Sequence, residues 1–209
     1  SSAASDVYKR QDDTISYLAQ EFGKRDKKVT IVSSDKDFLQ IVDKNINVYS
    51  PIKKKTYGKK EVEEEVGMLP ENYLIMKSLL GDNSDNLTGI KGLGPKTLIK
   101  EFPDLVNKPG VTLDDIYQIC VKELETKKVF AKIVYDWDKV KSNYELMNLL
   151  QPRLGDYEIV HILDKLKQDI PPLQATTFVR MLEADQIEAL NKNVEGWLEV
   201  FRPLTTYKK

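Results

Sequence analysis

The sequence holds one cysteine, one histidine and no long apolar run. A lone Cys120 excludes an internal disulfide and fits a reducing compartment. With His161 as the sole imidazole, a zinc site built from Cys and His ligands is excluded too. His161 lies in the helical pattern "YEIVHILDKL", where a packing or surface role is expected. No stretch reaches the roughly 20 apolar residues of a membrane span, and none reads as a secretory signal, so an intracellular place is expected. A Ser-His nucleophilic pair has no convincing candidate.

Charge is what the chain has in quantity. Against 33 Asp and Glu stand 32 Lys and Arg in 209 residues, a net charge of −1. Hydrophobic content of 41% supports one good core or two small ones. The near-neutral total conceals local runs. Lysines crowd "PIKKKTYGKK" (51–60), including Lys53, Lys54 and Lys55, and recur at Lys91, Lys96 and Lys100. Such runs read either as solvated surface or as the footprint of a polyanion.

The pattern up to residue 58 is helix, strand, helix, strand, the grammar of an α/β layer. Ile15, Leu18, Ala19 and Phe22 form a helical stripe stopped by Gly23. "VTIVSS" (29–34) and "NINVYS" (45–50) predict buried parallel strands, with a short helix at "DKDFLQIV" between them. Beyond residue 58 the pattern predicts helices and no strands. Residues 1–11 show no periodicity and read as a non-native junction. The predicted division is 12–80 for an α/β core and 81–209 for a helical region.

Three acidic pairs punctuate this frame: Asp12 and Asp13, Asp35 and Asp37, Asp82 and Asp85. The first opens a helix, where carboxylates meet the positive dipole end and serve equally well as caps. The second follows a strand at the carboxyl end of a sheet, where α/β proteins place their sites, though an Asx-turn is the plainer alternative. "GDNSDN" places the third pair one helical turn apart at the end of an apolar helix. Clustered carboxylates repel unless a hard cation neutralises them, which points to Mg²⁺ or Mn²⁺.

"GIKGLGPKTLIKEF" (89–102) is not a nucleoside-triphosphate loop, because Pro95 separates Gly94 from Lys96 and Thr97 and no strand precedes it. Gly92 and Gly94 between two helical runs suit a hairpin that lets backbone approach a phosphodiester strand. Pro95 would open the second helix, and Lys96 and Thr97 would add a charge and a hydroxyl.

"VTIVSSDKDFLQIV" and "LLGDNSDNLTGIKGLGPKTLIKEF" resemble the central and helix–three-turn–helix motifs of the 5′-nuclease superfamily of flap endonucleases and 5′–3′ exonucleases. "NVYSPIKKKTYG" and "NYELMNLL" are most similar to the ribonuclease H of T-even-type phages. The resemblance implies a PIN-like parallel-sheet core, here partial, followed by a mostly helical region with a DNA-binding helix–hairpin–helix at 79–102. It implies metal-dependent hydrolysis of DNA and RNA primers in replication, with two Mg²⁺ or Mn²⁺ ions activating water. Asp35, Asp37, Asp82 and Asp85 resemble ligands of one ion, and Asp12 and its neighbour Asp13 resemble the other side of the site. Gly92, Gly94, Lys96 and Thr97 match the duplex-gripping hairpin, which in the family also holds a monovalent cation such as K⁺. Lys91, Lys100, Lys53, Lys54 and Lys55 would add phosphate contacts.

The implied partner is duplex DNA with a 5′ flap or RNA primer. A replication clamp, a polymerase or a single-strand-binding protein would be a further partner of a monomer working in the cytoplasm of a phage host. Arg10 and Gln11 depart from the family's E-A-D-D motif, and the family's first strand with its aspartate has no counterpart upstream of residue 12. Weak or absent cleavage is therefore expected of this chain alone. The competing expectations are a non-catalytic structure-specific DNA-binding module and, on Asp-x-Asp after a strand, a haloacid-dehalogenase-type phosphatase. The phosphatase has no use for a Gly- and Lys-rich hairpin.

Overall fold

The computed structural model of the protein describes residues 11–169, 172–187 and 193–203. Apart from Gln11, the expected junction lies outside them; Gln11 itself is the first residue of helix α1 (Gln11–Lys24). Strand β1 (Val29–Val32) pairs in parallel with β2 (Ile46–Ser50), from Val29 opposite Ile46 to Val32 opposite Tyr49. A 3-10 helix (Lys36–Ile41) connects them on one side of the layer.

The strands differ from expectation in two ways. Among the described residues β1 is an edge strand, and its side chains alternate between the two faces: Ile31 enters the core while Val32 is 68% exposed. The lysine run also contains a short strand, β3 (Lys55–Tyr57), antiparallel to β2. Lysine is a poor strand former, and three residues give too little alternation to be recognised. Helix α2 (Lys59–Val66), a 3-10 turn (Pro70–Asn72) and α3 (Tyr73–Leu80) follow.

Strands reappear beyond residue 58, contrary to the sequence pattern. Gly81 ends α3 at φ +75°, and two-residue strands β4 (Gly81–Asp82) and β5 (Leu87–Thr88) form a tight antiparallel hairpin. The base of this hairpin has no room for side chains. A Cβ on Gly81 would lie 2.3 Å from the Gly89 nitrogen, and one on Gly89 would lie 2.1 Å from the Leu80 carbonyl. Gly81→Ala combines that clash with a left-handed backbone angle, so it should cost on the order of 2–3 kcal/mol. A thermal melt by circular dichroism should show the loss, and an unchanged midpoint would contradict this packing.

Five helices complete the first part of the chain: α4 (Pro95–Glu101), α5 (Asp104–Asn107), α6 (Leu113–Lys122), α7 (Lys128–Tyr135) and α8 (Trp137–Met147). Their core gathers Leu79, Leu98, Phe102, Ile116, Phe130 and Ile133. Phe102 and Phe130 meet edge to face at 5.8 Å, worth about 0.5–1.5 kcal/mol beyond burial. A second core under the sheet holds Phe38, Leu39, Ile46, Val48 and Leu149.

These two cores do not separate at residue 80. The chain divides into compact units that meet between Leu154 and Gly155. Val66 and Met76 pack against both cores of the first unit. Segment 147–149 returns to the α/β layer: Gln40 donates to the Met147 carbonyl at 3.0 Å and accepts from the Leu149 amide at 3.0 Å. Ser16 and Gln20 donate to the Leu149 carbonyl at 2.5 and 3.0 Å.

The second unit contains α9 (Asp156–Lys167), α10 (Ala175–Ala184) and α11 (Val194–Glu199). Phe178 stacks on Trp197 at 5.2 Å, and His161 is exposed on α9. Among the described residues, no helix is long and apolar enough to cross a membrane.

Candidate metal centre and nucleic-acid hairpin

Three carboxylates come together from two elements. Asp37 sits on the 3-10 helix behind β1, while Asp82 and Asp85 belong to the β4–β5 hairpin. One oxygen from each lies within 4.8 Å of the others. The sequence pattern had placed Asp82 and Asp85 on successive turns of a helix. They converge instead because the glycine pair folds the chain back on itself.

Asp35 caps the 3-10 helix, its carboxylate accepting from the Asp37 amide at 2.8 Å, so the Asx-turn alternative describes its local geometry. It is exposed beside the cluster rather than within the three-carboxylate group. Asp12 and Asp13 open α1 and line an open cleft of about 340 Å³ together with Asp37, Asp85 and Arg153. The Asp13 carboxylate accepts from the Arg153 amide at 3.0 Å, which ties the start of α1 to the end of the first unit.

Sequence reading missed the group that organises this cluster. Lys77 is 6% exposed in α3 and forms ion pairs with Asp37 and, at 2.6 Å, with Asp82. The available signal was a single lysine inside the apolar run "YLIMKSLL". Its position on the buried face of α3 forces the ammonium to find carboxylates.

Burial raises the Asp37 carboxyl, and the Lys77 hydrogen bond and charge only partly offset that. For Asp82 the balance is reversed. Partial burial raises it, but hydrogen bonds from Lys77 and from the Ser84 hydroxyl and amide bring it down to about 2. Asp12 is raised by partial desolvation and then by the negative charges of Asp35, Asp37, Asp13 and Asp85. The carboxylates therefore feel one another as an excess of negative charge that Lys77 offsets only in part. The donor set is oxygen alone, which fits a hard divalent cation such as Mg²⁺ or Mn²⁺.

The glycine-rich segment is a turn followed by a helix. Gly92 has φ +83°, and Gly94 precedes Pro95, the first residue of α4. Ile90 and Leu93 anchor the turn in the helical core. A Cβ on Gly94 would meet nothing within 4 Å, so packing inside the protein does not require glycine there. Lys91, Lys96 and Lys100 are exposed and form no ion pair with a described acidic residue. Lys132 of α7, which sequence reading passed over, donates to the Lys91 carbonyl at 3.1 Å. Thr97 is half-buried on the first turn of α4.

The lysines of 51–60 behave differently. Lys53 and Lys55 pair with Glu65 of α2, while Lys54 sits at the turn with φ +50°.

The chain resembles known proteins over most of its length. Residues 10–67 match the family described as 5′-3′ exonuclease, N-terminal resolvase-like domain. The chain is 31% identical over 182 residues to a 5′-3′ exonuclease of Aquifex aeolicus, covering 84% of this chain and 59% of that one. It is 41% identical over 97 residues to DNA polymerase I of Rhizobium leguminosarum, covering 45% of this chain and 10% of the polymerase. The chain thus spans less than two thirds of these relatives.

Among solved structures, a bacteriophage T5 flap endonuclease in a pseudo-enzyme–product complex with DNA and metal ions superimposes with a TM-score of 0.62. Identity there is 20%, over 75% of this chain and 60% of that one. T5 5′-exonuclease with bound zinc gives a TM-score of 0.60 at 20% identity, over 74% of this chain and 57% of that one. With the exonuclease domain matched in sequence over residues 10–67 and the flap-endonuclease fold matched in space, the chain is similar to proteins of the 5′-nuclease superfamily.

Proposed function

We propose that the chain is the metal-binding and duplex-gripping part of a 5′–3′ exonuclease or flap endonuclease that hydrolyses phosphodiester bonds of DNA and RNA primers during replication. The observation that carries this reading is the convergence of Asp37, Asp82 and Asp85 within 4.8 Å. Two divalent ions, when bound, would activate water and stabilise the leaving oxygen. Asp37, Asp82 and Asp85, with Asp35 beside them, would hold one ion, and Asp12 and Asp13 would contribute from across the cleft to the other.

The chain's own groups bind and orient. Lys77 keeps two carboxylates aimed at one point. Gly92, Gly94, Lys96 and Thr97 offer exposed backbone, charge and a hydroxyl to a duplex, supported by Lys91 and Lys100. Lys53, Lys54 and Lys55 extend the positive surface. A K⁺ ion at the hairpin would be held by backbone carbonyls of the turn. A replication clamp, a polymerase or a single-strand-binding protein would be its partner, with the chain acting as a monomer inside the cell.

Only three carboxylates form a close group among the described residues, so one ion would be held closely and the second only loosely by Asp12 and Asp13. Cleavage by the isolated chain should therefore be weak or absent while duplex binding persists. A gel assay with Mg²⁺ on a 5′-flap substrate, run beside a duplex-binding measurement, tests both. Brisk turnover would refute the loosely held second ion, and absence of duplex binding would refute the nuclease reading. The alternative of a purely DNA-binding module predicts duplex binding with no affinity for Mn²⁺.

A further inference from the structure

Four side chains around the lysine-rich segment form a cluster that the metal centre and the hairpin leave unused. The Glu65 carboxylate accepts from the Lys53 ammonium at 2.5 Å, with the Lys36 ammonium at 3.5 Å and that of Lys55 at 4.0 Å. The three lysines come from three elements. Lys36 opens the 3-10 helix and lies in the chain between Asp35 and Asp37. Lys53 is in the turn after β2, and Lys55 begins β3. Glu65 is in the last turn of α2.

One carboxylate facing three ammonium groups leaves two positive charges uncompensated. Ammonium groups gathered this closely repel, and nothing in folding demands their convergence. The floor of the cluster carries a second sign of incompleteness. Tyr57 is 4% exposed, with the Lys55 and Lys53 ammoniums 4.9 and 5.9 Å from its ring centroid. Its hydroxyl is buried beside the Lys53 ammonium without a hydrogen bond of good geometry.

We infer that Lys36, Lys53 and Lys55 form a second phosphate-binding site for the nucleic-acid strand, in which Glu65 is a resident counter-ion that phosphate displaces. The inference rests on the nucleic-acid reading above and deepens it. Lys36 links the two functions, since its chain neighbours are acidic residues of the metal centre. A phosphodiester held here would therefore lie on a strand already directed toward that centre. Bound phosphate takes over the lysines, and Glu65 turns toward solvent, where its 23% side-chain exposure already gives it access.

The site has a signature that structural packing alone would not produce. Each neutralised phosphate contributes about 0.9 to the slope of log affinity against log salt concentration. Duplex binding should be measured across a salt series for the unmodified chain, Lys36→Gln/Lys53→Gln/Lys55→Gln, Glu65→Gln and, as a surface-charge control, Lys60→Gln. The triple variant should lower the slope by about 0.9, the share of the one phosphate held here. Glu65→Gln should bind more tightly with the slope little changed, because the same phosphate is neutralised and no carboxylate has to be displaced.

If Glu65 only holds the lysines in place, Glu65→Gln weakens binding and the inference fails. It fails equally if the triple variant keeps the original slope, or if Lys60→Gln lowers the slope as much. An unmodified chain that binds no duplex would remove the nucleic-acid reading itself, a result distinguishable from loss confined to the variants. Melting curves of all four proteins separate altered binding from altered folding.

Discussion

Lys77→Met is expected to destabilise the metal-free protein by about 2–3 kcal/mol, less than the loss of one partner from a fully buried ion pair because the carboxylates retain some exposure. The substitution keeps the aliphatic volume in α3 but leaves Asp37 and Asp82 facing each other without their ammonium. Their side chains are 19% and 21% exposed, against 7% for Lys77. A midpoint shift of roughly 5–10 °C follows for a unit of this size. Mn²⁺ should then restore stability preferentially in the variant, since it supplies the missing positive charge to the same oxygens. Calorimetry with and without Mn²⁺ decides the matter. A midpoint drop that Mn²⁺ leaves untouched would mean that Lys77 contributes through packing alone.

The same comparison explains what the sequence could and could not reveal. Asp35 and Asp37 were legible because strand, turn and carboxylate spacing are local, and the structure keeps them local. Gly92, Gly94 and Pro95 were legible for the same reason. Asp82 and Asp85 were assigned to one centre through the wrong geometry. Helical continuation of an apolar run outweighed Gly81 and Gly89, whose combined effect appears only when their backbones cross.

Lys77 was passed over because its meaning depends on Asp37, 40 residues away. The division near residue 80 followed composition. It missed that Gln40 would pair with Met147 and Leu149, 107 and 109 positions later. Local chemistry survives a reading by spacing, whereas long-range pairing is set by packing. The two charged clusters share this property: Lys77 sits as a cation among acids, and Glu65 sits as an anion among bases.

That distinction predicts that the three clustered aspartates will not respond alike to substitution. Asp85 is exposed and forms no described ion pair, so the fold has little use for its charge. Asp37 and Asp82 both neutralise Lys77, so they carry structural weight as well. Asp85→Ala should therefore leave the melting midpoint within about 0.5 kcal/mol of the original, as for ordinary surface substitutions. Its Mn²⁺ affinity should fall by at least about 100-fold, because loss of groups one shell removed from a metal already costs about 10–100-fold. Asp37→Ala should lose both affinity and stability, since it strands the Lys77 ammonium in a buried position. Electron paramagnetic resonance titration of Mn²⁺ alongside thermal melts separates the two effects. If Asp85→Ala binds Mn²⁺ as the parent does, the 4.8 Å grouping is a coincidence of turn geometry. If Asp85→Ala unfolds the chain, the carboxylate is a structural element of the hairpin, and the metal-centre reading loses its cleanest witness.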